Sequence, residues 1–187
     1  MKNRNIVNLI AGTALVLGAG FASAAPFDKK EELQGISFHV TSPNKAAGNA
    51  VRIVPAGLQI DNSPIEMDIT GIVTGAEVAD INADRSPEIY IYVLEPGPEK
   101  RMSLLAFSAN KKKSLSAIYL PALSETKGAE KGYCGSDDMA PVEGTFIRRF
   151  PLCGKDKQPT GKTRQLQYKL KPGEAGWQLK LDKKMEY

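Results

Sequence analysis

Short apolar runs recur along the chain at intervals of roughly ten residues, and no other property of the sequence narrows the fold as much. They are ISFHV from Ile36, VRIV from Val51, MDITGIV from Met67, EIYIYVL from Glu88, MSLLAFSA from Met102, SAIYL from Ser116, TFIRRFP from Thr145 and GWQLKLD from Gly176. Turn chemistry separates them. Ser42-Pro43-Asn44, Asp61-Asn62-Ser63-Pro64, Glu95-Pro96-Gly97-Pro98 and Lys171-Pro172-Gly173 each put Pro, Gly or Asn where the backbone must reverse. Strand-sized runs with turns at this spacing predict an all-β fold, an antiparallel β-sandwich of about eight to ten short strands in a single domain. No segment carries a long helical period, and no internal repeat or low-complexity tract interrupts the pattern.

The first residues, MKNRNIVNLIAGTALVLGAGFASA, set Lys2 and Arg4 ahead of an apolar run and close on Ala22-Ser23-Ala24. These are the three parts of a secretory signal peptide, so residues 1–24 are expected to be removed on export, and the run is short for a membrane span. Export predicts an oxidising compartment. Residues 25–35 (APFDKKEELQG) are charged and aperiodic, which predicts a flexible lead-in before a sandwich domain over 36–187. Without the leader, 23 basic residues face 21 acidic ones, a net charge of +2. That balance argues against nucleic acid as partner, because such binding rests on neutralising many phosphates. It also leaves little long-range steering, so recognition must be local.

Both cysteines fall in one stretch, Gly132 to Leu170. In an oxidising compartment two cysteines are the smallest number that can pair, so a Cys134–Cys153 bridge is expected. Beyond it, Gly154 to Arg164 is too polar and too broken by Gly and Pro for regular structure, and a loop of that length is often functional. The final hairpin is the most legible element. Leu166, Tyr168 and Leu170 alternate on one face, and after Pro172-Gly173 so do Trp177, Leu179 and Leu181, as an antiparallel pair facing one core requires.

The chain offers little for catalysis. It has one histidine, His39, inside a strand pattern, and lacks the ligands of a zinc site, so no enzyme activity is expected. Gly161-Lys162-Thr163 echoes the end of a phosphate-binding loop, but Asp156 stands where that loop needs its first glycine. Asp80-x-Asn82-x-Asp84-x-x-x-Glu88 has the alternating oxygen donors of a calcium loop. Arg85 occupies the place of the usual glycine, and its guanidinium would compete with a cation for Asp84 or Glu88. The run therefore reads as an Asp/Asn-rich hairpin turn, and neither metal nor other cofactor is expected.

Three runs, DINADRSPEIYIYV, GYCGSDDMAPVEGTFIRRFP and PTGKTRQLQYKLKPGEAGWQLK, resemble the periplasmic inhibitors of invertebrate-type (I-type) lysozyme found in Gram-negative bacteria, across Ile72 to Leu181. The resemblance implies a β-sandwich, a periplasmic location, a lysozyme as partner and, in some members, a homodimer. It further implies inhibition by a loop bearing Ser-Gly-x-Tyr that enters the catalytic cleft. The matching positions are Thr160, Gly161, Lys162 and Thr163, with Arg164 beside them; Thr160 keeps the hydroxyl and Gly161 the glycine, while Thr163 stands in place of the tyrosine. The cysteine pair is not part of the family's pattern. Tyr133 is a second candidate contact. The competing reading is a non-catalytic periplasmic module that binds glycan or another envelope protein.

Overall fold

The computed structural model describes residues 24–174 and 176–187. The signal-peptide expectation therefore lies, apart from Ala24, outside the described residues. Twelve strands arrange in two sheets, and the sheets pack together. The smaller contains β1 (Phe27–Leu33), β2 (Ile36–Ser42), β3 (Asn49–Ala56) and β4 (Ile65–Ile69), paired in chain order as an antiparallel meander.

The larger sheet holds β5 (Ile72–Ala79), β6 (Glu88–Leu94), β7 (Met102–Ser108), β8 (Ser116–Tyr119), β9 (Asp138–Val142), β10 (Thr145–Cys153), β11 (Pro159–Gly173) and β12 (Gly176–Glu186). Its order is β5-β6-β7-β8-β12-β11-β10-β9. Every pairing is antiparallel except β8 with β12, where Trp177 sits opposite Ile118. The sheet curls until its edge strands β5 and β9 approach each other, giving the sandwich a barrel-like half.

The apolar run EIYIYVL forms β6, whose side chains alternate between two cores. Ile89, Ile91 and Val93 face the small sheet, where they meet Ile36, Phe38, Val40, Val51 and Ile53. Tyr90 and Tyr92 face the other way, into the concave side of the large sheet, with Phe146, Phe150, Leu166, Tyr168 and Leu179. One strand thus serves two cores, which is why EIYIYVL is apolar at nearly every position and buried along its length.

Two expectations are corrected. The charged stretch 25–35 is no flexible lead-in, because Phe27–Leu33 forms β1, paired residue by residue with Ile36–Ser42. Lys and Glu are at home there because β1 is an edge strand, where charge discourages pairing with another chain. MDITGIV is not one strand but the end of β4 and the start of β5, divided at Gly71. Gly71 has φ +124°, and a Cβ there would lie 2.2 Å from the Leu94 carbonyl oxygen, so only glycine lets the chain cross between sheets at this point. His39 lies in β2 on an exposed face, its ring Nε2 2.8 Å from Asp28 Oδ1, a surface role.

Candidate functional site

β10 and β11 form a long hairpin with Phe146 opposite Tyr168 and Phe150 opposite Arg164. Its turn is tight. Gly154 N–H donates to the Gln158 carbonyl (2.9 Å), Lys157 N–H to that of Gly154 (3.1 Å), and Asp156 Oδ1 accepts from Gln158 N–H (3.1 Å). Lys157 takes a positive φ of 60° to close it. The long loop expected over Gly154 to Arg164 is thus a five-residue turn followed by the start of β11, and Thr160 to Arg164 are strand residues. Pro159 begins a strand whose pairing the sequence hides, because Gly161 and the polar side chains around it carry no alternation.

The hairpin nonetheless projects. Its neighbour β12 gives out at Tyr187, which exchanges two backbone hydrogen bonds with Thr163 (2.8 and 3.1 Å). Beyond that point every residue from Gly154 to Lys162 is exposed, a narrow finger of two strands and a turn. Gly161 lies in it at φ +78°, with open space where a side chain would stand.

The finger is braced at its root. Cys134 and Cys153 are joined, with Cα atoms 6.0 Å apart, as the sequence predicts. Cys153 N–H donates to the Gly132 carbonyl (2.8 Å), and Tyr133 pairs with Leu152 in a single antiparallel bridge. Closing this loop of 19 residues restricts the unfolded chain by about 3 kcal/mol. The bond is the chemistry of an oxidising, extracytoplasmic compartment. Among the described residues, no helix is long and apolar enough to cross a membrane.

The candidate contacts divide by geometry. Lys162 is exposed and makes no salt bridge among the described residues. The Thr160 hydroxyl donates to the Leu152 carbonyl (2.8 Å) and accepts from Lys162 N–H (3.4 Å), so it shapes the finger. Thr163 is half-buried at the level of Tyr187. Arg164 is corrected outright. It is 4 % exposed, its guanidinium pairs with Glu186 (2.6 Å), and it donates to the Gly128 and Ala129 carbonyls (3.3 and 2.9 Å). It fastens the segment leading to Cys134 and cannot present its charge to a partner. The signal was available, since Arg164 is in phase with Leu166, Tyr168 and Leu170 on the inward face.

Tyr133 is equally committed. Its hydroxyl donates to Asp137 Oδ2 (2.6 Å) and accepts from Arg148 (3.3 Å), and its ring stands edge-on to Phe150 at 4.9 Å. The Arg148 and Arg101 guanidiniums lie 5.3 and 5.7 Å from its ring centre. Burial, then the Asp137 hydrogen bond and charge, pushes its phenol up to about 12. Arg148 and Asp137 form a buried ion pair (2.7 Å), and Asp137 also accepts from Met102 N–H (3.0 Å). Sequence reasoning missed this pair, because DD at 137–138 and RR at 148–149 show no pattern until β9 and β10 are placed side by side. The network borders a surface groove of about 590 Å³ between Arg101, Leu120, Leu123, Glu130, Tyr133 and Arg148.

The acidic run lies at the far end of the large sheet, in the β5–β6 turn. Asp80 Oδ1 accepts from Asp84 N–H (3.1 Å) and Oδ2 from Arg85 N–H (3.0 Å), while Asn82 Nδ2 donates to Asp84 Oδ2 (2.9 Å). Glu88, at the start of β6, turns inward and is fully buried. Its Oε2 accepts from Ile81 N–H (3.0 Å) and the Tyr90 hydroxyl (3.3 Å). Desolvation above all, with the charges of Asp80 and Asp84 added, pushes its carboxyl up to about 8. The chain matches no profile of a known protein family, no curated protein and no solved structure.

Proposed function

We propose that this protein is an exported, non-catalytic inhibitor of lysozyme, working in the periplasm, whose Gly154–Lys162 finger enters the sugar-binding cleft of the enzyme and so protects peptidoglycan. The observation that carries the reading is the unbroken exposure of that finger on a root fixed by a disulfide and by Arg164. The sequence resemblance to inhibitors of invertebrate-type lysozyme supplies the partner. Lysozyme hydrolyses glycosides with carboxyl groups in a cleft shaped for a sugar chain. Lys155, Lys157 and Lys162 at the finger's end offer those carboxyls charge-assisted hydrogen bonds, which are strong where water is excluded. Nanomolar inhibition needs about 12 kcal/mol, and a finger already ordered loses little entropy on docking.

The test is inhibition of invertebrate-, chicken- and goose-type lysozymes by the mature protein, side by side. Lys157→Ala combined with Lys162→Ala is expected to weaken inhibition by at least about tenfold, ~1.4 kcal/mol, with the unfolding midpoint unchanged. Undiminished inhibition by that variant would remove the finger from the mechanism. A second reading, a module binding glycan or an envelope protein, draws on the groove beside Tyr133. Three inactive lysozyme assays together with saturable binding of a peptidoglycan fragment would favour it. The ring of Tyr133, already engaged by two guanidiniums and Phe150, is poorly placed to stack on a sugar.

A further inference from the structure

The β5–β6 turn holds Ala83 and Arg85 at positive φ (56° and 65°). The objection raised by Arg85 in the sequence does not hold in three dimensions. Arg85 itself takes φ +65°, the conformation a glycine would supply. Its exposed side chain makes no salt bridge with Asp84 or Glu88. One carboxylate oxygen from each of Asp80, Asp84 and Glu88 lies within 4.8 Å of the other two. Calcium binds oxygen at about 2.3–2.6 Å, so oxygens on one ion stand no more than about 5 Å apart. Three carboxylates at that spacing fit around a single ion.

Acidic groups often crowd exposed turns, and the crowding alone points to nothing. The independent observation is Glu88. It is 0 % exposed, both of its donors go to Oε2, and Oε1 has no hydrogen-bond partner. A buried carboxyl oxygen without a partner costs free energy comparable to a lost hydrogen bond. Among the described residues none of the three carboxyl groups has a salt-bridge partner, and their hydrogen bonds come only from neutral N–H and O–H donors.

We infer that the β5–β6 turn is a calcium site in which Asp80, Asp84 and Glu88 each give a carboxylate oxygen, with water completing the shell. Asn82 braces Asp84 through its amide rather than joining the three carboxylates. Calcium suits the site better than magnesium, because a loop with one buried and two more open carboxylates imposes no tight octahedron. The ion ties Asp80 and Asp84 to the first residue of β6 and so fixes the end of the strand that both cores share. The turn lies beside Gly144, which precedes β10, while the finger follows the other end of that strand. Nine strand residues separate them by roughly 30 Å. Calcium binding and lysozyme inhibition therefore succeed or fail independently.

Calorimetric titration of calcium chloride into the chelator-treated mature protein is expected to show one site with Kd between about 10⁻⁵ and 10⁻³ M. Saturating calcium should also raise the thermal unfolding midpoint by several degrees. Terbium in place of calcium should give tyrosine-sensitised emission, because Tyr90 touches Glu88, and calcium should quench it by displacement. Asp84→Asn, at an exposed position, should weaken affinity at least about tenfold. Asp80→Asn combined with Asp84→Asn should abolish binding, while the midpoint in chelator stays equal to wild type or rises as repulsion is removed. Absence of heat and of any midpoint shift at millimolar calcium, or full affinity in Asp84→Asn, would overturn the assignment.

Discussion

The two cores on either side of β6 are built from different chemistry. The one between the sheets is mostly hydrocarbon, with Ile89, Ile91 and Val93 against Phe38, Val40, Val51 and Ile53 and, at its edge, the buried amide of Asn44, which exchanges hydrogen bonds with the Val73 backbone. The one enclosed by the curled sheet mixes aromatic rings with committed polar groups: Tyr90 on Glu88, Tyr133 and Arg148 on Asp137, and Tyr168 with a buried hydroxyl that has no partner. The first kind tolerates any close-packed hydrophobic set of the right volume. The second fixes geometry, because each polar group must find its own partner or stay costly. Both the finger root and the acidic turn are attached to the second. Both cores contribute stability by burial, while position is set inside the curl.

That contrast can be broken most forcefully at Asp137. Asp137→Ala leaves Arg148 charged, buried and unpaired, and is expected to destabilise by about 3–5 kcal/mol in denaturant unfolding. A cost below 1 kcal/mol would mean that the polar network is ornamental. Ile91→Val between the sheets removes one methylene and should cost only about 0.5–1.5 kcal/mol. The unfolding midpoint should fall while the slope with denaturant stays unchanged.

The smallest effect concerns the rim. Glu186 is held below the ordinary glutamate range by its hydrogen bond from Arg164. A lowered folded pKa contributes stability above the unfolded value of 4.5 that is lost as pH falls through the lowered one. Glu186→Gln should therefore lower stability slightly at neutral pH, and the difference from wild type should shrink away as pH falls below about 4.5.

What the sequence makes legible follows the same division. Period-two alternation identifies the hairpin of β11 and β12, and apolar or aromatic runs identify β6 and β10, since each has a face in a core. The disulfide is readable from cysteine number and export alone. Charged β1 is not readable, because an edge strand needs no apolar face, and neither is the break at Gly71, where a single missing Cβ divides one apolar run between two sheets. At the candidate site, Gly154–Lys162 stands out by its polarity, whereas the commitment of Arg164 and Tyr133 depends on segments more than ten positions away. Residue type marks where the site is. Long-range pairing decides which side chains in it are free.

The lone parallel pairing, β8 with β12, makes the large sheet a closed seam between an early half of the chain and its last strand. Until Trp177 arrives opposite Ile118, β8 is a raw edge and the half-sheet before it has nothing to curl against. Such non-local closure is slow and leaves an exposed edge while it waits. Loss of β12 would therefore split the larger sheet in two rather than merely trim it.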